Sequence, residues 1–319
     1  DMLRAILLYL SKATWARNLV TRWRFARRAA SRFVAGDTLE EAIQAIAALN
    51  QRGLLATLDH LGEDVTNAEE AKRSADEYLE LMDRISASGA KSNASVKLSQ
   101  LGLVLDFDLC LDNMRRILRK ASACGMMVRI DMEDSSTVDR TLQLRRALKG
   151  EGLENSGLAF QSYLFRTEED VRASLAEGIR IRLCKGAYKE PAEIAYPRKA
   201  DVDASYDRVA RMMIDASQAL GAQAPSPDGK IPPIVALGTH DGKRIQAAKD
   251  YAAKVGFPKQ ALEFQMLYGI RADLQNRLAA EGYPVRVYVP FGTSWYPYFM
   301  RRLAERPANL WFFLSNFFR

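Results

Sequence analysis

One stretch of the chain concentrates groups that attract anions. Gly178-Ile179-Arg180-Ile181-Arg182-Leu183-Cys184-Lys185-Gly186-Ala187-Tyr188 alternates apolar and basic residues and then breaks at a glycine. Alternation marks a strand. Arg180, Arg182 and Lys185 are expected to gather positive charge near its exit, unless they simply coat the wet face of a half-buried strand. Polar strand exits recur along the chain: Asp59 and Glu63, Lys97, Asp131 and Glu133, Gln161, Thr239 and His240, Gln265, and Tyr288. Arg182, Lys185, Gln161, Gln265, Thr239 and His240 supply donors and suit a ligand with many acceptors, either a phosphate-bearing sugar or an aromatic cofactor. An arginine fork binds phosphate or carboxylate in two-pronged fashion, and it also stabilises negative charge developing on a ring. Near the C-terminus, Arg301 and Arg302 lie three and four residues after Tyr298, and Glu305 four and three after them, so one helical turn sets Tyr298 beside the arginines and Glu305 below. They read either as a surface ladder or as a clamp for a small carboxylate.

The elements that must position these groups form a regular series. A short strand followed by a helix occurs eight times between Leu54 and Ala304. The strands are read at Leu54–Leu58, Ala94–Leu98, Met127–Ile130, Leu158–Gln161, Gly178–Lys185, Ile234–Leu237, Leu262–Gln265 and Val285–Val289. No GxGxxG follows any strand, which disfavours a doubly wound dinucleotide fold. Eight repeats over about 250 residues match a (β/α)8 barrel, in which every strand ends at one mouth. Ahead of the barrel, Leu3 to Phe33 reads as helical, and Thr38 to Arg52 as a second helix capped by Asp37. Thr167 is read as the cap of the helix running to Glu177, Tyr206 to Leu220 as another helix, and Lys189 to Ala200 as a loop over the mouth. The division expected is residues 1–53 as helices packed on the barrel and 54–319 as a single barrel unit. The apolar Leu310–Leu314 tail must pack or meet a partner.

Composition narrows the classes. The chain has 319 residues, 48% of them hydrophobic, and a formal charge of +7. No run of about 20 uncharged apolar residues is present, so a membrane-spanning helix is not expected, and no signal peptide is read. The three cysteines lack paired spacing and there are only two histidines, so neither a disulfide framework nor a His-rich metal site is indicated. A reduced, cytoplasmic setting fits best. The basic excess lies partly between Arg17 and Arg32, interspersed with Trp15, Leu19, Trp23 and Phe25. That pattern suits a solvated helix face or anionic lipid more than nucleic acid.

Several stretches together resemble the proline dehydrogenase family: Ser95-Val96-Lys97-Leu98-Ser99, Arg182 to Tyr188, Thr239-His240, Glu263 to Gly269, and Tyr298-Phe299-Met300-Arg301-Arg302-Leu303. The resemblance runs from about Leu54 to Asn309 and is closest to the stand-alone bacterial kind. It implies a distorted (β/α)8 TIM-type barrel with extra N-terminal helices and the last helix placed over the mouth. The implied activity is oxidation of L-proline to Δ1-pyrroline-5-carboxylate, by hydride transfer from C5 to N5 of a noncovalent FAD. Electrons then pass to a membrane quinone, and a separate pyrroline-5-carboxylate dehydrogenase acts downstream. By the same resemblance Arg301 and Arg302 hold the proline carboxylate with help from Lys97, while Leu267, Tyr288 and Tyr298 pack about the ring. Asp131 orients its neighbours, Arg182 meets the flavin near N5, and Gln161, Lys185, Gly186, Ala187, Thr239, His240 and Gln265 serve the rest of FAD. Tyr188 closes on the site and Glu63 matches an acidic gate residue. No metal is implied, and the location is cytoplasmic or peripheral on the inner membrane. Read from the residues alone, a Schiff-base aldolase using Lys97 or Lys185 on a phosphorylated substrate is the alternative.

Overall fold

The computed structural model describes residue 7 and residues 9–11, 13–21, 24–62 and 65–305. Two short helices come first, α1 (Thr14–Val20) and α2 (Arg24–Ala30), then α3 (Leu39–Gln51). The single helix expected over Leu3–Phe33 is therefore interrupted. Thr21 ends α1, its hydroxyl donating to the Arg17 carbonyl at 2.8 Å. The cap of α3 is Thr38, not Asp37. Thr38 and Glu41 form a reciprocal capping box, while the Asp37 carboxylate pairs with Arg27.

Eight parallel strands follow and close into a barrel in chain order. They are β1 (Leu55–His60), β2 (Ser92–Val96), β3 (Val128–Ile130), β4 (Ser156–Gln161), β5 (Ile181–Cys184), β6 (Val235–Gly238), β7 (Leu262–Leu267) and β8 (Val285–Phe291). β8 returns to β1, with Thr57 beside Tyr288 and Asp59 beside Pro290. The intervening helices are α4 (Ala68–Ser88), α5 (Phe107–Ala123), α6 (Val138–Gly150), α7 (Thr167–Ala176), α8 (Lys199–Ala219), α9 (Gly242–Lys254) and α10 (Ala272–Ala280); α11 (Trp295–Glu305) is the last.

Helical spacing explains the outer layer. α4 buries Ala71, Ala75, Tyr78, Leu81, Met82 and Ile85, one stripe against the sheet. Asn67 caps its start, and Gly89, at φ 68°, ends it in the left-handed region open to glycine. Two boundaries differ from expectation. Thr167 is the first residue of α7 rather than its cap: its hydroxyl donates to the Gln161 carbonyl and does not accept a first-turn amide of the helix. α8 starts at Lys199, well before Tyr206, since Arg198–Asp201 and Lys199–Asp203 pairs hold its first turns together.

Two apolar clusters divide the work. The larger fills the space between barrel and helices and takes in Ala42, Ile43, Ile46 and Leu49 of α3. The smaller joins Trp295, Tyr296, Phe299, Met300 and Leu303 of α11 to Ala26, Ala29 and Ala30 of α2, and to Phe33. It also includes Leu61, at the exit of β1, and Ile270, beyond the exit of β7. The last helix thus packs on strand exits and on the N-terminal helices, across the mouth rather than beside the strands. No helix among the described residues is long and apolar enough to cross a membrane.

Candidate active site

The inner face of the barrel is polar, and its groups are linked in series. Lys97 follows β2 and its ammonium donates to both Asp59 oxygens at 2.7 and 2.8 Å. The same nitrogen donates to the Tyr288 hydroxyl at 3.1 Å. Tyr288 in turn donates to Asp131 Oδ2 at 2.7 Å, and Asp131 Oδ1 accepts from Arg182 Nη1. Arg182 also donates to Gln265 through Nε and to Ser95 through Nη2. Side chains on or just past six strands, β1, β2, β3, β5, β7 and β8, are therefore joined. Burial by itself would lower the Arg182 pKa, but the charge of Asp131 foremost holds it above the ordinary value. Burial and the two nearby carboxylates, Asp131 then Asp59, push the Tyr288 phenol well above its ordinary range. It stays a neutral donor at any physiological pH.

Lys185 does not join this series. Its amine pairs with Asp203 of α8 at 2.5 Å and with Asp241, the cap of α9, at 2.7 Å. Arg244 bonds the same Asp203 at 3.2 Å. Lys185 thus ties the start of two helices to the exit of β5. Arg180 lies at the other end of that strand, bonded to Gln223, so the expected gathering of Arg180, Arg182 and Lys185 does not occur. Successive strand residues point to opposite faces, and Arg180 enters before the strand begins. Both lysines that an aldolase would need are held in ion pairs with carboxylates, not presented as free nucleophiles.

The remaining groups ring the exits. Gln161 donates to the Met132 carbonyl at 3.2 Å, while its Oε1 is buried with no hydrogen-bond partner. His240 Nε2 accepts the Leu267 amide at 2.9 Å, which leaves Nδ1 as the protonated nitrogen of the neutral ring. Thr239 bonds β7 through its backbone, its amide to the Gln265 carbonyl at 3.1 Å. Gly186, at φ 126°, lies so close to the Tyr163 ring that a Cβ there would sit 2.4 Å from it. Ala187 and Tyr188 continue that half-buried loop. Burial and then Glu133 raise the Tyr188 phenol, while Arg301 acts against them. Glu133 itself accepts from the Ser99 amide and hydroxyl at 2.9 and 2.5 Å.

Arg301 therefore lies within electrostatic reach of Tyr188, and Arg302 of Cys184, whose thiol is pushed up to about 11, chiefly by burial. The Arg302 guanidinium stacks 4.9 Å from the Tyr298 ring centre. Both arginines overhang the β5 exit from α11. Leu267 is half-buried against the same helix cluster. Glu63 and the Leu310–Leu314 tail lie outside the described residues, as does the Glu305 side chain.

Sequence reasoning passed over the layer beneath: Thr57, Ser95, Glu263 and Arg286. Thr57 and Ser95 hydroxyls meet at 2.9 Å. Glu263 accepts from Gln265 at 2.6 Å and from Arg286 at 2.9 and 3.1 Å. The signal was a period of two. Each lies two residues before a residue named at the mouth, as in Ser95–Lys97, Glu263–Gln265 and Arg286–Tyr288.

A (β/α)8 barrel with a charged, hydrogen-bonded mouth beneath a terminal arginine-bearing helix defines a barrel enzyme whose site lies at the strand exits. The proline dehydrogenase family model matches residues 42–314. The proline dehydrogenase of Deinococcus radiodurans is 44% identical over 90% of this chain and 89% of its own length. Proline dehydrogenase 1 of Bacillus subtilis is 39% identical over 99% of each chain. Among solved structures, proline utilization A from Bdellovibrio bacteriovorus inactivated by N-propargylglycine superposes with a TM-score of 0.78 at 26% identity. That match covers 88% of this chain and 33% of the longer one. The chain belongs to the proline dehydrogenase family.

Proposed function

We propose that this protein oxidises L-proline to Δ1-pyrroline-5-carboxylate, with noncovalent FAD as cofactor and a membrane quinone as the final acceptor. The observation that carries the reading is the Lys97–Tyr288–Asp131–Arg182 series lying beneath Arg301 and Arg302. Bound FAD would supply the acceptor for the two electrons and the hydrogen leaving proline C5. The residues present fit that cofactor: Gln161 Oε1 is a buried acceptor with no partner, and the His240 imidazole lies past the β6 exit beside Leu267. Gln161, Thr239, His240 and Gln265 would hold it, with Gly186, Ala187 and Tyr188 closing over it. Lys185 would act by fixing the loop that carries them.

The protein's own groups set position and charge. Arg301 and Arg302 take the proline carboxylate, with Lys97 held toward it by Asp59. Leu267, Tyr288 and Tyr298 pack about the pyrrolidine ring, which limits the orientations of C5. Arg182, immobilised by Asp131, Gln265 and Ser95, presents a fixed positive charge that favours electron acceptance beside it. Asp131 is a positioning residue, acting through Arg182 and Tyr288. Glu63, three residues past β1 in the sequence, would serve as an acidic gate. A separate pyrroline-5-carboxylate dehydrogenase would consume the product.

Contact with a quinone requires approach to a membrane. Tyr9, Trp15 and Leu19 are 67%, 61% and 49% exposed, a large apolar exposure, and Arg27 and Arg28 of α2 are exposed as well. A cytoplasmic protein lying peripherally on the inner membrane through this region fits both features. The deciding measurement is an absorbance spectrum of the purified protein before and after anaerobic L-proline. Flavin bands that bleach on addition are expected. Absence of flavin after reconstitution with FAD, or a borohydride-trapped lysine adduct, overturns the reading.

A further inference from the structure

The barrel face opposite the mouth carries a second built recess. It opens between the start of β3, the end of α6, the start of β4 and the α7–β5 junction, with a volume of about 350 Å³. That lies at the small end of the range of ligand pockets. Arg145 of α6 stands at its base, 4% exposed, with Nε and Nη1 buried and unpartnered. Arg180 adds an unpartnered Nη1, and the 3%-exposed Ser156 adds an unpartnered hydroxyl. Arg145 of α6, Ser156 of β4 and Arg180 just before β5 therefore all line one recess, and each holds a donor buried without a partner. Burial lowers the pKa of both guanidiniums, so the pair is held at a cost in desolvation. A buried charge without partner is among the most unfavourable features a fold retains. At the opening stand the exposed carboxylates Glu154 and Glu177, both close enough to act electrostatically on Arg145. Glu177 is partly neutralised by Lys149 at 2.9 Å.

We propose that this recess is a binding site for a small zwitterionic amino acid, its carboxylate on Arg145, Arg180 and Ser156 and its ammonium toward Glu154 and Glu177. One buried guanidinium, one half-buried guanidinium and a buried hydroxyl match one carboxylate. The acidic rim repels a dianion such as phosphate and attracts the ammonium of an amino acid. The site is separate from the mouth, since its residues precede β3, β4 and β5 whereas the mouth residues follow them. Arg180 immediately precedes β5, which carries Arg182, and Arg129 Nη1 donates to the Arg180 carbonyl. Occupancy would thus be felt one residue pair below the catalytic arginine.

Equilibrium dialysis with labelled L-alanine tests the assignment, with acetate and inorganic phosphate as competitors. An Arg301→Met, Arg302→Met double variant reports this recess without a contribution from the mouth. In that background L-alanine should still bind, and Arg145→Met or Arg180→Met should weaken it about 30-fold or more, the usual loss when one partner of a charge-assisted contact is removed. Arg145→Met without ligand should melt no lower than its parent, because it replaces an unpaired buried charge with an apolar chain. Binding unaffected by Arg145→Met overturns the proposal, as does no binding at all. Displacement by phosphate at lower concentration than by acetate overturns the zwitterion assignment. A large drop in melting temperature for Arg145→Met overturns it equally, since that would mean a structural arginine.

Discussion

The two ends of the barrel interior use the same chemistry for different ends. At the floor, Arg286 and Glu263 have no exposure, and Arg286 also donates to the Ala56 and Gly229 carbonyls at 2.8 and 2.7 Å. At the mouth, the Lys97 and Asp131 side chains keep 19% and 13% exposure beneath the last helix. A pair sealed in the floor can only hold strands together. A pair at the mouth can share its charge with something arriving from solvent. Conserving strand geometry below and leaving reach above is how one polar core serves both stability and chemistry.

The largest effect should come from the floor. Arg286→Met leaves the Glu263 carboxylate buried alone and should cost about 3–5 kcal/mol in denaturant unfolding. Replacing Glu263 with Leu as well should restore much of that loss. Unaltered stability in the single variant would remove the distinction between floor and mouth.

Next come the overhanging arginines. Arg301→Met and Arg302→Met should each lose about 2–5 kcal/mol in kcat/KM, roughly 30-fold to several thousand-fold. Melting temperature and flavin content should hold. The two need not be equal, since they point about 100° apart around the helix. Wild-type kinetics in both would reduce them to a surface ladder, whereas loss of flavin would move them into the cofactor site.

Acid should release the tie between Lys185 and Asp241. Burial alone would raise Asp241, but the Lys185 contact brings its pKa down to about 2. A depressed carboxylate stabilises the fold above its unfolded pKa and loses that contribution as pH falls toward the folded value. The Asp241→Asn variant should therefore be less stable at neutral pH, by about 1 kcal/mol after solvent screening. The difference should fade between about pH 4 and pH 2, measured by urea unfolding across pH. A gap that persists at pH 2 would place the effect in packing instead.

Arg129 offers a finer cut within the floor. It is fully buried like Arg286, yet its Nε and Nη2 have no partner. Its pKa falls well below normal through burial and then the neighbouring Arg182. Arg129→Met should be neutral within about 1 kcal/mol, and a loss equal to that of Arg286→Met would show that pairing is not what separates them. The smallest effect is expected at the N-terminal helices. Charge reversal at Arg24, Arg27 and Arg28 should weaken sedimentation with anionic vesicles, about 1 kcal/mol per charge at most. Binding indifferent to both reversal and salt would leave that face merely solvated.

Most of the barrel was legible because each strand is bounded by a glycine or a helix and each helix carries one apolar stripe. Polar residues at strand exits could be named individually, since a parallel barrel sends all of them to one side. What escaped was partnership. Lys185 reads like Arg182 in the sequence, yet the pleat turns it outward onto Asp203 and Asp241. Cap assignments at Asp37 and Thr167 failed because another group, the Arg27 guanidinium for the first and the Gln161 carbonyl for the second, claimed the side chain.

Local order, then, came from the amino-acid sequence: period-two strands, period-3.6 helices, glycines that stop them, and paired arginines one turn from Tyr298. These depend on neighbours within a few residues, which sequence spacing records directly. Closure decided the rest. Only when β8 meets β1 do Asp59, Lys97, Tyr288, Asp131 and Arg182 form one series. Only the packing of α11 on α2, Leu61 and Ile270 carries Arg301 and Arg302 over the mouth. Those contacts join residues far apart along the chain, and their geometry is set by strand pleat and apolar burial acting over the whole fold.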